Sequence, residues 1–172
     1  MAPKPAIPCK GLIHMQKIIC FHLVDEPNGY LSNWYPSPFT LDGIAYSCVE
    51  QYMMYQKAVT FGDTDTASAI LDPGKIKALG RSVQNYSDTI WNGIRQIVVY
   101  RGLLEKFRQN ADLKQQLLAT QAHILAECAL RDQIWGIGMT MQDEYRFEPD
   151  LWEGQNLLGF TLMMVREELA QG

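Results

Sequence analysis

The segment Ser87–Asn110, SDTIWNGIRQIVVYRGLLEKFRQN, constrains the fold more than any other stretch of the chain. Its Ile90, Ile94, Ile97, Val98, Leu104 and Phe107 recur at helical spacing, and Ser87-Asp88 supplies a capping start, so one long helix is predicted. Most other segments are helical too. Ser47-Cys48-Val49-Glu50 has the capping-box form ahead of a periodic stretch to about Phe61. Asp63–Leu71 and Asp112–Thr120 read as short helices, and Asp72-Pro73 as an N-cap followed by proline at the first helical position. Asn156–Ala170 closes the chain with an amphipathic helix.

Strand signals are few. Lys17–Val24, KIICFHLV, is β-branched and aromatic, and the apolar run HILAECAL reads as a second buried strand, although its length also permits a helix. Asp42-Gly43 between short apolar runs is a hairpin signal. YLSNWYPSPF, with two prolines and four aromatic residues, is irregular. Strands and helices do not alternate, which excludes a doubly wound parallel sheet. The expected class is α+β, mainly α: a compact helical domain with a small N-terminal sheet or hairpin.

A length of 172 residues fits one domain, expected over residues 17–172. Residues 1–16, rich in proline and without an apolar run, read as a flexible lead-in and not as a secretory signal. The longest apolar runs are too short to span a bilayer. Cys9, Cys20, Cys48 and Cys128 have no CxxC spacing, and His14, His22 and His123 lie far apart, so no metal or cofactor is expected. The last three cysteines sit in apolar surroundings, as core residues of a protein in the reducing cytoplasm do.

The net charge of −4, from 15 basic and 19 acidic residues, argues against a protein whose main affinity is for phosphate backbone. The charge is uneven. Residues 75–114 carry eight basic and three acidic side chains, and residues 125–172 three basic and nine acidic. This pattern reads either as a surface able to accept an anionic ligand or as two solvated helix faces.

In SCVEQYMMYQKAVTF, Glu50 and Lys57 are seven residues apart and leave the same helix face. Their α-carbons would stand ~10.5 Å apart, a spacing that suits two groups facing one ligand better than an ion pair. The plainer alternative makes Glu50 a capping residue and Lys57 a snorkelling one. Asn33 and Trp34 on the irregular segment are able to grip a planar group or to pack a loop. Asp132, Trp135 and Gly136 mark either a backbone approach to a ligand or a tight turn under a core tryptophan. Asn156 opens the last helix, as a phosphate site or as an ordinary N-cap, and Arg81 is a candidate phosphate partner or a surface arginine. The usual nucleotide-binding and hydrolase signatures are absent.

Taken in order, YLSNWYPSPFTLDGIAYSCVEQYMMYQKA, FGD, LGR, NYSDTIWNGIRQIVVYRGLLEKFRQN, LLAT, DQIWGIG and GQNLLGFTLMMVREEL resemble the NADAR (NAD- and ADP-ribose-associated) domain, whose members include the YbiA-like N-glycosidases. The likeness runs from about residue 18 to 170. It implies a mostly helical fold with a ligand cleft and hydrolysis of bonds between a ribose carbon and a nucleobase or base-like amine. By that resemblance Glu50 and Lys57 are the catalytic pair. Asn33, Trp34, Arg81, Trp91, Asp132, Trp135, Gly136 and Asn156 correspond to substrate-binding positions.

Two substrate classes are associated with the family, ADP-ribose on guanine bases and phosphorylated riboflavin intermediates. The acidic insert 139–154 differs from the short glycine-rich loop of the riboflavin type and favours the ADP-ribose class. A non-catalytic ADP-ribose or NAD reader is the third alternative; it would not need Glu50 opposite Lys57. The expected partner is ADP-ribose or ADP-ribosylated guanine, free or in single-stranded or flipped-out nucleic acid, with no membrane and no protein partner. Glu50 is expected to stabilise oxocarbenium charge on the ribose, and Lys57, if neutral, to form a Schiff base with it. Both tips are expected in one dry groove.

Overall fold

The computed structural model describes residues 17–72, 74 and 76–172. The lead-in 1–16, with Cys9 and His14, and the expected proline start at Pro73 lie outside the described residues.

Among the described residues, four short strands and six helices follow in the order β1 (Ile18–Phe21), β2 (Phe39–Leu41), β3 (Ile44–Tyr46), α1 (Val49–Thr60), α2 (Thr64–Ile70), α3 (Ile76–Gly80), α4 (Asp88–Gln109), α5 (Ala111–Ala119), β4 (Ile124–Glu127) and α6 (Leu157–Gln171). The α+β class holds, with one pairing the sequence did not disclose. β1 and β4 lie side by side in parallel, Ile18 opposite Ile124 through Phe21 opposite Glu127. Parallel neighbours need a crossover, and here it contains β2, β3 and helices α1–α5. Because both strands run the same way, their carboxyl ends open on the same side.

β2 and β3 form the expected hairpin, with Asp42 and Gly43 at φ 52° and 80°. Both central residues need the left-handed region in that turn, which asparagine, aspartate and glycine tolerate. The capping box at α1 does not form. Cys48 is the N-cap, and the Ser47 amide and hydroxyl both donate to Gln51 Oε1, at 2.7 and 2.9 Å. Glutamine one residue further on therefore makes the bond expected of Glu50. Asp63 caps α2 through Thr66 and also accepts the Gln84 amide at 2.9 Å, joining α2 to the approach to α4.

The main core is built where α1, α4 and α6 meet around Tyr52, Val99, Leu103, Phe107, Leu158 and Leu162. Cys20, Cys48 and Cys128 are buried and free, as expected of core thiols. Residues 139–154 fold into two 3-10 turns, Glu144–Phe147 and Pro149–Leu151. Their Tyr145, Leu151 and Trp152 pack against Cys20, Ala126 and Cys128 of the parallel pair. The insert is thus a covering layer for the sheet.

Part of the basic middle is already engaged by the protein itself. Lys106 is fully buried, Arg101 pairs with Asp42 at 3.0 Å, and Arg108 reaches Glu105 and Glu168. The reading as an anion-accepting face fails for Lys106, while Arg101 and Arg108 stay at the surface in ion pairs. Among the described residues no helix is long and apolar enough to cross a membrane.

Candidate active site

A cavity of about 740 Å³ opens where the parallel strands end. Ligands commonly seat beyond the carboxyl ends of parallel strands, where loops rather than side-by-side backbone form the walls. His22 follows β1, Glu127 ends β4, and Trp34, Leu130, Arg131 and Asp132 complete the wall. Trp34 is 40% exposed, and Leu23 and Leu130 are also open to solvent, so the mouth is apolar and able to receive a planar group.

Glu127 is the residue that sequence reasoning missed. Burial, reinforced by the negative charges of Asp132 and Glu50, pushes its carboxyl up to about 8. Its Oε2 is buried without a hydrogen-bond partner. The signal was present in HILAECAL, where one acid interrupts an apolar strand.

Its backbone is held on both sides. The Glu127 amide donates to Asn156 Oδ1 at 3.1 Å, and its carbonyl accepts the Ile137 amide at 2.8 Å. Asn156 is 0% exposed, sits at φ 52°, and also donates through Nδ2 to the Leu125 carbonyl at 2.8 Å. It makes no capping bond to α6 and is closed to a phosphate. Both readings of Asn156 are therefore corrected: its amide is consumed by β4. Gly136 is buried as well, and a Cβ there would stand 2.9 Å from the Glu127 carbonyl oxygen. The close approach that glycine permits is to the protein's own strand and not to a ligand.

Asp132 lines the cavity, and its Oδ1 accepts the amides of Ile134 and Trp135 at 2.9 and 2.8 Å. Trp135 is half-buried and packs against the main core. Trp91 belongs to that core outright at 6% exposure, which leaves it no open ring face for stacking. The helical stripe of α4 accounts for it.

The loop carrying Asn33 and Trp34 is fixed from below. Lys106 Nζ, in the core, donates to the carbonyls of Tyr30 and Ser32 at 2.7 and 2.9 Å, and burial pulls its ammonium down to about 7. Ser32 Oγ accepts the Trp34 amide at 3.3 Å. Asn33 is buried; its carbonyl accepts the Glu50 amide at 2.9 Å, and its Oδ1 has no hydrogen-bond partner.

Glu50 is half-buried at the start of α1 and acts electrostatically on both Glu127 and Lys57. Lys57, two turns along, donates to the Gly80 carbonyl at 2.9 Å and lies 4.3 Å from the centre of the Tyr86 ring. Burial lowers its pKa, while Asp88 and Glu50 oppose that shift. The exposed Arg81 follows Gly80 directly. Neither Glu50 nor Lys57 is among the residues lining the 740 Å³ cavity, so the expectation of both tips in that one groove is corrected. The lysine's nitrogen is turned to the α3 end because a backbone acceptor and a ring face are available there. Glu50 is the link between the two regions. Among the described residues no group of three or more His, Cys, Asp or Glu side chains is placed to hold a metal ion.

Residues 20–170 match the NADAR domain. An N-glycosidase of Acanthamoeba polyphaga mimivirus is 41% identical over 166 residues, covering 90% of this chain and 98% of its own. A riboflavin biosynthesis protein of Vibrio vulnificus is 35% identical over 91% of this chain but only 40% of its own length. The NMR structure of the E. coli protein YbiA superposes with a TM-score of 0.75 at 29% identity, covering 92% of this chain and 88% of that one.

Proposed function

The chain belongs to the NADAR domain family, and from that premise we propose that it is an N-glycosidase that removes ADP-ribose from guanine bases. The observation that carries this reading is the buried carboxyl of Glu127 beside Asp132 on the wall of an apolar cavity faced by an exposed tryptophan, with Glu50, outside that wall, adding its negative charge to Glu127. Breaking a ribose–nitrogen bond develops oxocarbenium charge on the sugar, and an ionised carboxylate close to that carbon lowers the barrier. Glu50 takes that role.

Lys57 is the Schiff-base candidate. An amine must be neutral to attack the ribose carbon, and the burial that lowers its pKa favours that form. Attack requires Lys57 to leave the Gly80 carbonyl, a single hydrogen bond.

A cavity of about 740 Å³ lies in the range that holds nucleotide-sized ligands. Trp34 offers a stacking face for the base, and Arg131 on the wall supplies the cation for the diphosphate that Asn156 cannot. In nucleic acid the modified base would have to be single-stranded or flipped out. The chain's net acidity predicts weak affinity for the sugar–phosphate backbone, so recognition rests on the ADP-ribose.

The second reading is cleavage of a phosphorylated riboflavin intermediate, favoured by the Vibrio relative. The insert 139–154 does not decide between them, because none of its residues lines the cavity. The test is incubation with an ADP-ribosylated guanine oligonucleotide and, separately, with the riboflavin intermediate. Release of ADP-ribose from the first is expected. Turnover of the second alone selects the other reading, and turnover of neither ends the N-glycosidase assignment.

A further inference from the structure

We propose that Glu127 is the acid that protonates the departing base, a role distinct from that of Glu50. The inference rests on the N-glycosidase reading and deepens it. It starts from geometry. Glu127 ends β4 on the cavity wall, its strand held to Phe21 by the parallel pairing and its amide held by Asn156. Its Oε2 is shut off from solvent and unpartnered, as are His22 Nδ1 on the same wall, Asn33 Oδ1 and the Tyr52 hydroxyl, whereas most buried polar groups in proteins are paired.

Burying a carboxylate without a partner is costly, whereas a carboxylic acid tolerates such a site and retains a proton to give. The surroundings work the same way. Trp34, Ala129 and Leu130 present apolar surface, while Glu50 from α1 and Asp132 from the following loop add negative charge. His22 and Asp25 beyond β1, and Arg131, are the other titratable groups on the wall. The raised affinity of Glu127 for its proton agrees with this arrangement, and a carboxyl so poised is half-protonated within reach of neutral pH.

The step balances simply. The ribose C1″–N bond breaks with its electron pair on nitrogen, and Glu127 passes its proton to the base. Water adds its hydroxyl to C1″ and returns its other proton to the Glu127 carboxylate. If Lys57 takes the carbon first, the net exchange is the same. Guanine is a poor leaving group as an anion and a good one once protonated, so the acid contributes where the ribose-side carboxylate cannot.

The test uses the full chain and the ADP-ribosylated guanine oligonucleotide. Glu127→Gln should lower kcat by at least ~100-fold with KM little changed, the usual weight of a general acid. It should also abolish the basic limb of the wild-type pH–rate profile, expected near pH 8. His22→Asn should keep that limb. Near-wild-type turnover by Glu127→Gln, or a limb that persists in it, or a limb lost instead in His22→Asn, would overturn the proposal. Should Glu127→Gln not fold, Glu127→Asp decides: a displaced limb supports the role and an unmoved one defeats it. A wild-type protein inert on both substrates is a different failure, that of the N-glycosidase reading itself.

Discussion

The buried side chain of Asn156 holds Glu127 in place. Its Oδ1 accepts the Glu127 amide at 3.1 Å while its Nδ2 donates to the Leu125 carbonyl at 2.8 Å, so one amide bridges alternate residues of β4 from the start of α6. Replacing it by alanine leaves a donor and an acceptor of the strand unpaired in the interior. Asn156→Ala should therefore lose about 2–6 kcal/mol, at about 1–3 kcal/mol per orphaned group. Urea unfolding measures the loss. Catalysis in the fraction that stays folded should fall through kcat more than through KM, because the acid is misplaced while Trp34 is not.

Stability should carry two opposite pH signatures. Glu127 titrates near 8 in the folded chain against an ordinary 4.5, so the folded state holds an extra proton between those values. Stability is full below about 4.5 and is lost as pH rises through 8. Lys106, near 7 against an ordinary 10.5, behaves in reverse. Its burial penalty is full below about 7 and is relieved as pH rises toward 10.5. Each contributes a slope approaching ~1.4 kcal/mol per pH unit within its window. Urea midpoints measured from pH 4 to 10 should flatten below 8 in Glu127→Gln and above 7 in Lys106→Met. A wild-type slope unchanged by Lys106→Met would mean that the amine is charged in the core.

The two tryptophans that look alike in the sequence should separate by experiment. Trp34→Ala removes an exposed ring at the cavity mouth. It should weaken ADP-ribose binding by about 1–3 kcal/mol, the worth of one stacked base, with little effect on folding. Trp91→Ala empties a core position and should cost about 3–5 kcal/mol of stability. Calorimetric titration and urea unfolding of both variants distinguish the roles.

These cases show what was legible in the chain and what was not. Local patterns carried well. Asp42-Gly43 marked the hairpin because a tight turn needs left-handed backbone, and the helical spacing of Ile90–Phe107 marked α4, although Ile90 and Ile97 of that stripe face solvent and the core side is Trp91, Val99, Leu103 and Phe107. What failed depended on partners far along the chain. The parallel pairing of β1 with β4 left no local trace. Asn156 looked like a cap because asparagine before a helix usually is one, and only the nearness of Leu125 and Glu127 changes its task. Ser47 had two acceptors within reach, Glu50 and Gln51, and periodicity could not say which would be chosen. At the site, Trp34 and Asp132 were found by their polar and aromatic company, while Glu127 was hidden among residues that read as core.

Lys57 sets the last prediction. Its nitrogen rests on the Gly80 carbonyl and the Tyr86 ring, a site that removes water from the amine but also offers a cation a favourable ring face. Burial is the leading influence and lowers the pKa, so a neutral fraction exists above that of a surface lysine. Borohydride added during turnover should then reduce a Schiff base to a stable adduct, located on Lys57 by peptide mass. The yield should rise with pH as the amine deprotonates. Lys57→Arg keeps a charge but cannot form the adduct, and should be as inactive as Lys57→Ala if the covalent route operates. Activity retained by Lys57→Arg, with no adduct in the wild type, would assign the lysine to neutralising Glu50 and leave water to attack the ribose directly.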